Sequence, residues 1–507
     1  MADDFLIEDE PWPFPSEPLE SPEPEDNDSG NGQHEDEVTI DGYVLDRLRE
    51  PGLAEFLSRL TLTDAGNAEG FVKMYGNRFR FDHLRGRGGD WLRWNGSRWE
   101  IDCLGQAQRA AVSLAKARRT VTQLITDDSV RKASYIWSRA SAQRSGISAM
   151  LWMSSYLPPF TSNTNYFDLD PWLLSCGNGT LDLQAGKLRK PNPADMITKG
   201  SRIEYHEDAK APRWDRFLKE IFNNDEDLIG FIRRSVGYSL TGDCREQCLF
   251  LCWGHGWNGK GVLFNTLRSM MGSLAADTAF TTFEVTRSES SNDLAAIAGS
   301  RLVTASETSE TKRLNEGRIK AITGRDPVTC RFLYNEHFTY TPMYKIWLAM
   351  NHKPEIRGTD KGIWRRIRLI PFTVSFEEKA DFTVEEKLRA ELPGILAWAV
   401  RGCLEWQNGG LRPPKVVLEA TEQFRHESDL VGRFLEEKTQ TLPLGSIGAT
   451  ALYGAFISWC KANGEETISN TAFGRRMTER GMPKNTNPTV RYLGLAFRMD
   501  EEESALL

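Results

Sequence analysis

The run Cys248-Leu-Phe-Leu-Cys-Trp253, then Gly254-His255-Gly256-Trp257-Asn258-Gly259-Lys260-Gly261-Val262 and Leu263-Phe-Asn-Thr-Leu-Arg268, constrains the fold of this chain more than any other segment. An apolar run, a glycine-rich loop and a helical pattern in that order describe a buried strand feeding a helix through a tight turn. The glycines let backbone N–H groups turn inward, and the helix N-terminus adds its positive end. With a lysine ammonium beside them they form a cradle for a polyphosphate. Residues 254–262 are therefore the candidate nucleotide-binding loop, with Lys260 set against the β- and γ-phosphates. The Ser or Thr that usually follows this lysine and ligates Mg2+ is Gly261 here. The metal must then be held by water, by Asn258 or by acids elsewhere.

Such a loop needs partners on neighbouring strands. Arg301-Leu-Val-Thr-Ala-Ser-Glu307 is an apolar run ending in a carboxylate, so Glu307 is the candidate to orient the attacking water and hold Mg2+, with Glu310 close enough to assist. Tyr344-Lys-Ile-Trp-Leu-Ala-Met350 ends in Asn351, placed to sense a γ-phosphate. Trp364-Arg365-Arg366 then leads into Ile367-Arg-Leu-Ile-Pro371-Phe, and an arginine there suits a finger that completes a neighbouring subunit's site. Short apolar strands alternating with helices mark an α/β domain.

At 507 residues the chain exceeds one hydrophobic core, so several domains are expected. Residues 1–40 carry fourteen Asp and Glu and no Lys or Arg, in a Pro- and Glu-rich context that reads as a solvated tail. Without them the net charge of −8 becomes +6, a mildly basic body that suits nucleic acid. No apolar run is long enough to span a membrane, and Met1-Ala-Asp-Asp lacks the basic start of a secretory signal, so a cytoplasmic protein without membrane partners is expected. Cys244, Cys248 and Cys252, spaced by fours without a nearby His, do not make a zinc site, and all eight cysteines read as reduced thiols. Composition and periodicity divide the chain into a tail (1–41), a mixed α+β domain (42–210), an α/β core that holds the candidate nucleotide loop (211–375), a helical extension (376–435) and a small C-terminal domain (436–507).

The C-terminal part places Leu452, Phe456 and Trp459 on one helical face. A second helix, capped by Ser469 or Asn470, turns Phe473 and Met477 inward and Arg475, Arg476 and Arg480 outward, and strand-like Val490–Phe497 closes the unit. Helix, basic helix and strand form a winged-helix-like pattern whose basic helix suits a DNA groove.

Taken together, the loop GxGxNGKG, Ala305-Ser-Glu307-Thr, Lys320-Ala-Ile-Thr-Gly-Arg-Asp326-Pro-Val-Thr-Cys-Arg331-Phe-Leu-Tyr334, Trp347-Leu-Ala-Met-Asn351-His-Lys-Pro354 and Trp364-Arg-Arg366-Ile-Arg-Leu-Ile-Pro371-Phe resemble the superfamily-three helicase core of phage and plasmid primase-helicases, with poxviral enzymes as relatives. Upstream, Trp91–Trp99, Cys176-Gly-Asn-Gly-Thr-Leu-Asp-Leu183 and Gly237-Tyr-Ser-Leu-Thr-Gly242 resemble the accessory domain that precedes this ATPase. The resemblance implies a P-loop, AAA+-like α/β core, ATP and Mg2+ as cofactors, and a homo-hexameric ring that pulls single-stranded DNA through its centre, usually 3′ to 5′, to unwind forked DNA. Carried over, Lys260 is the phosphate lysine, Glu307 the acidic-motif carboxylate, Asn351 the sensor and Arg366 the preferred finger, with Arg365 second. Pro327–Tyr340 becomes a DNA-tracking hairpin, with Arg331, Tyr334 and His337 as contacts. Many relatives carry two adjacent acids where this chain has Ser306-Glu307, so one carboxylate must serve.

A built-in primase would need clustered carboxylates for two metals. Asp168-Leu-Asp170 has that spacing but sits at the accessory-domain edge, so a separate primase or polymerase is the expected partner. The competing readings are an ATP-switched origin-binding initiator without motor activity, and a P-loop ATPase unrelated to DNA.

Overall fold

The computed structural model describes residues 40–86, 88–285, 292–307, 313–333, 336–358, 360–379, 381–486 and 488–498. The tail, Glu310 and Tyr334 fall outside the described residues. Pro51-Gly52, with Gly52 at φ 81°, separates α1 (Ile40–Leu48) from α2 (Leu53–Arg59). Next come α3 (Asp64–Tyr75), β1 (Phe79–Asp82), β2 (Asp90–Trp94) and β3 (Trp99–Ile101). Asn95 closes the β2–β3 hairpin by accepting N–H bonds from Ser97 and Arg98 (2.9 and 2.8 Å). The helical stretch that follows is three helices, α4 (Gln106–Val121), α5 (Asp128–Ser141) and α6 (Arg144–Ser155), before β4 (Thr161–Ser162) completes a sheet of order β3-β2-β1-β4. Phe71 centres this core, with ring centroids of Tyr75, Phe79, Trp91 and Phe160 at 5.1 to 6.0 Å.

A small antiparallel sheet, β5 (Leu173–Cys176), β6 (Gly179–Asp182) and β7 (Lys187–Arg189), leads into α7 (Pro212–Ile221) and α8 (Glu226–Leu240). The central body then runs β8 (Leu249–Trp253), α9 (Lys260–Met271), β9 (Ala275–Asp277), α10 (Asn292–Ala296), β10 (Leu302–Ser306), α11 (Glu316–Thr323), β11 (Val328–Cys330), β12 (Phe338–Tyr340), β13 (Lys345–Met350), α12 (Lys361–Trp364) and β14 (Ile367–Pro371). Helices α13 (Val384–Ala390), α14 (Leu392–Gly409) and α15 (Lys415–Ser428) follow. Five strands form one parallel sheet in the order β14-β8-β13-β10-β9. Strand alternation sends Phe250 and Cys252 of β8 into one core, with Trp214, Phe231 and Trp347, and Leu249 and Leu251 into the other, with Ile319, Ile346 and Leu348. That double burial is why β8 reads as a continuous apolar run.

The small sheet shares the first of these cores: Leu174, Cys176 and Leu181 pack with residues of α8 and α14. Buried Arg301 reinforces the join by donating to Leu240 O and Leu173 O, both at 2.8 Å. Position 210 therefore divides a shared core, and α14 lies inside the central body. Helices α8 and α14 touch through glycine: a Cβ on Gly237 would sit 2.1 Å from Cys403 N, and one on Gly402 2.1 Å from Arg233 O. Gly237→Ala should force these backbones apart and cost on the order of 3 kcal/mol, read as a lowered urea midpoint. An unchanged midpoint would show that the two helices have slack.

The last unit is α16 (Leu430–Lys438), β15 (Thr439–Gly448), α17 (Ala449–Ala462), α18 (Asn470–Glu479), β16 (Lys484–Asn485) and β17 (Arg491–Phe497), with sheet order β15-β17-β16. Its core joins Val431, Phe434 and Leu435 of α16 to Leu452, Phe456, Trp459, Phe473 and Met477, so this packing unit starts before the expected position 436. Among the described residues no helix is long and apolar enough to cross a membrane.

Candidate functional site

Strand β8 ends at Trp253, and the chain must turn at once to start α9. Gly254 has φ 158°, and a Cβ there would lie 2.2 Å from Phe372 O; Gly259 caps α9 at φ 85°, and a Cβ there would meet Ile221 Cγ2 at 2.6 Å. Only glycine fits both places, so the loop geometry follows from the sequence. The positions of Gly256 and Gly261 face open space. The segment after β14 lines the loop: Phe372 N donates to Trp253 O and Phe376 N to Trp257 O, each at 2.7 Å. Trp257 adopts φ 58°, and its indole is 55% exposed, 6.4 Å from the Phe382 ring, itself 85% exposed. Phe382 lies in the irregular stretch after β14 and was not singled out in the sequence.

Lys260 opens α9 and is buried. Its ammonium donates to Gly254 O, to His255 O (3.2 Å) and to Asn351 Oδ1 (3.4 Å). Burial pulls its pKa below the ordinary lysine value, opposed by Cys252 and the Glu307 carboxylate. Asn351 follows β13 and Glu307 follows β10, the next two strands of the sheet. Glu307 Oε2 accepts from Asn351 N (2.9 Å) and His352 N (3.0 Å). Lys260, Asn351 and Glu307 therefore meet in one hydrogen-bonded group at the C-terminal ends of adjacent parallel strands, where ligands of open α/β sheets bind.

This group suits a nucleotide triphosphate. The ammonium, the first N–H groups of α9 and the Asn351 amide are donors for phosphate oxygens. For a metal it offers less. Gly261 supplies no side-chain oxygen, one Glu307 oxygen is committed to backbone N–H groups, and the described residues contain no cluster of three His, Cys, Asp or Glu able to hold an ion. A magnesium ion would have to arrive on the nucleotide's own phosphates. Lys353, which the sequence reading passed over in the Asn-His-Lys-Pro run, stacks over the Trp253 ring at 4.5 Å and pairs with Glu427 of α15 at 2.6 Å. It ties the strand end bearing Asn351 to α15.

The two candidate finger arginines differ in exposure. Arg366 is buried, and its guanidinium donates to Thr323 Oγ1 (3.0 Å) and Gly362 O (2.6 Å) within the same subunit. It fastens α11 to α12. Arg365 is exposed, with one bond to Gln247 Oε1 at 2.9 Å. Because Leu249 N donates to Arg366 O, both arginines lie at the N-terminal end of β8, the end opposite Lys260.

The expected hairpin forms. β11 and β12 pair antiparallel, Thr329 and Thr339 side by side, and Tyr340 OH anchors to Leu294 O at 3.0 Å. Arg331 and His337 are exposed at its tip. So are Phe332 (42%) and Leu333 (68%), which the sequence reading did not single out; Phe332 stacks on Phe338 at 5.9 Å. On α18, Arg475 is exposed, whereas Arg476 is buried and donates to Arg357 O (2.9 Å), and Arg480 pairs with Asp429. Arg476 and Arg480 thus serve packing rather than a free basic face. Asp168 accepts from Thr198 N (2.8 Å) and Asp170 from Trp172 N (2.8 Å), so both act as loop caps. All eight cysteines are free thiols.

Residues 68–223 match the family described as D5 N terminal like, and residues 252–366 match a family of unknown function, DUF5906. The chain is 28% identical over 358 residues to the Acanthamoeba polyphaga mimivirus protein named "Putative helicase L207/L206", covering 65% of this chain and 37% of that one. It is 26% identical to "Putative helicase 022R" of Frog virus 3 (49% and 28% covered) and 23% identical to "Putative primase C962R" of African swine fever virus, isolate Pig/Kenya/KEN-50/1950 (58% and 34%). The chain spans about a third of the length of these relatives. Among solved structures, the apo C-terminal region of NrS-1 (305–718) aligns at a TM-score of 0.36 and 12% identity, covering 61% of this chain and 87% of that one. The two family segments stand in tandem, and over them the chain is similar to proteins of large DNA viruses that carry helicase and primase names.

Proposed function

We propose that this chain is an ATP-dependent DNA helicase, acting as a homo-hexameric ring on single-stranded DNA and unwinding forked duplex. The observation that carries the reading is the convergence of Lys260, Asn351 and Glu307 at the ends of three adjacent parallel strands. The order β14-β8-β13-β10-β9 supports an AAA+-like P-loop core. In this reading Lys260 offsets charge on the β/γ oxygens, Asn351 meets the γ-phosphate, and Glu307, fixed by two backbone N–H groups, turns the attacking water. Mg2+ bound with ATP would further neutralise the phosphates. The exposed rings of Trp257 and Phe382 offer the base a stacking surface. The order helix, strand, helix, helix, strand, strand from α16 to β17 supports a winged-helix-like C-terminal domain, with Arg475 as its remaining candidate for DNA. Priming falls to a separate primase or polymerase.

Unwinding of forks bearing a 3′ or a 5′ loading strand tests the function. ATP-dependent strand displacement on one polarity is expected. Tight duplex binding without displacement would instead identify an ATP-switched initiator, and hydrolysis indifferent to DNA would remove DNA from the account. The hairpin gives a second expected result. Arg331→Ala with His337→Ala should lower single-strand affinity and unwinding by at least about tenfold, from lost phosphate and base contacts. Basal ATPase should stay near native, since both residues are exposed at the hairpin tip. Equal loss of basal ATPase would assign them to the fold.

A further inference from the structure

Helix α5 leaves several apolar side chains outside. Its inward positions Ser138 and Ser141 are buried, while Val130 (48%), Tyr135 (45%) and Ile136 (69%) face solvent. Between the end of α4 and α5 runs a groove of 580 Å³ lined by Arg119, Thr122, Arg131, Lys132, Tyr135 and Ile136. Its surroundings are strongly cationic, with eight Arg and Lys against two Asp over residues 104–156. Arg118 is used internally, bonded to Asn67, Leu60 O and Thr61 O. Asp128 pairs with Arg131 and Lys132, and Asp127 caps α5. Arg119 and Arg139 have no carboxylate partner among the described residues.

An apolar strip ringed by cations needs an occupant that alternates carboxylates with apolar side chains. The chain carries one: Asp3-Asp4-Phe5-Leu6-Ile7-Glu8-Asp9-Glu10-Pro11-Trp12-Pro13-Phe14, with five carboxylates and five large apolar residues. We infer that this acidic segment docks in the α4–α5 groove of its own subunit, its carboxylates against Arg119, Lys132 and Arg139 and its apolar residues over Tyr135 and Ile136.

The tether permits this. The described chain starts at α1, which packs on α4, and α2 packs on the turn joining α4 to α5. A chain of 25 residues, the length from Pro15 to Thr39, spans at most about 80–90 Å, well beyond the roughly 24 Å length of a sixteen-residue helix. Attachment within reach of the groove makes the contact intramolecular, so even a weak contact is populated. A nucleic acid strand would use the cations and Tyr135 but bring no apolar side chain to Ile136, which favours the peptide. Docking shields an apolar, cationic face until a competing ligand displaces the segment.

Hydrogen exchange tests this on the full chain and on residues 40–507, which hold the whole described fold. Amides of 128–141 should exchange more slowly in the full chain. A fluorescein-labelled peptide of residues 1–16 should bind residues 40–507, and Lys132→Glu with Ile136→Ser should weaken it at least about tenfold, a loss of roughly 1.4 kcal/mol. Both side chains are exposed, so the fold is retained, and the exchange measurement needs no variant. Identical exchange with and without the segment, or peptide affinity indifferent to the substitutions, would overturn the inference. So would protection of 128–141 by an oligo-dT strand but not by the segment, or protection lost on dilution, which would assign the face to nucleic acid or to a second copy.

Discussion

Lys260→Ala should lower ATP hydrolysis at least about a hundredfold, the scale for removing one donor aimed at developing charge. The fold should barely respond. The ammonium's partners are two carbonyls of its own loop and the Asn351 side chain, and losing such bonds costs about 1 kcal/mol. Phosphate release measures the first quantity and a thermal midpoint the second. Glu307→Gln supplies the contrast. A glutamine carbonyl can still accept from Asn351 N and His352 N, so the strand ends stay in register and ATP binding persists. The charge that draws a proton from water is gone, and turnover should fall by about 10²–10⁴. A native rate for Lys260→Ala would remove the phosphate loop from the mechanism, whatever the fold.

What could be read from the sequence follows from how local each signal is. The loop was legible because its chemistry is contiguous: an apolar strand, glycines at Gly254 and Gly259 where a Cβ would clash, and a lysine opening a helix. Glu307 and Asn351 were legible as polar residues ending buried strands, though nothing local said that β13 would lie between β8 and β10 and so let Asn351 bridge Lys260 and Glu307. The misplacement of Arg476 was avoidable. It stands three residues after inward-facing Phe473 on α18, and i and i+3 share a helical face. The same rule places Val431, Phe434 and Leu435 on one face of α16, which moves the start of the last unit before 436. The sharing of one core by β5, β6, α8 and α14 was not legible, because residues some 230 apart meet there and no local periodicity encodes that. Between Arg365 and Arg366 adjacency decided nothing. The passage from α12 into β14 turns successive side chains to opposite sides, and only the packed helix pair fixes which is buried.

That pair gives the second large effect. Arg365→Ala should keep a native thermal midpoint and ATP affinity, yet hydrolyse ATP about 10³–10⁵ times more slowly, the range for a supplied arginine finger. On the proposed reading the arginine acts on a neighbour. It sits at the N-terminal end of β8 while Lys260 follows the C-terminal end, and five strand residues separate them by about 16 Å. Arg365 is exposed, so it can face another subunit. Arg366→Ala should behave differently. It strips the bonds to Thr323 and Gly362, which costs about 1.5–3 kcal/mol for hydrogen bonds from a charged group, and any loss of activity should track loss of fold. Mixing Lys260→Ala with Arg365→Ala subunits then tests the sharing of sites. Some interfaces join a native Lys260 to a native Arg365, so the mixture should recover activity that neither variant has alone. No recovery on mixing would place the arginine's action within its own subunit or outside catalysis, and native turnover by Arg365→Ala would remove Arg365 as the proposed finger.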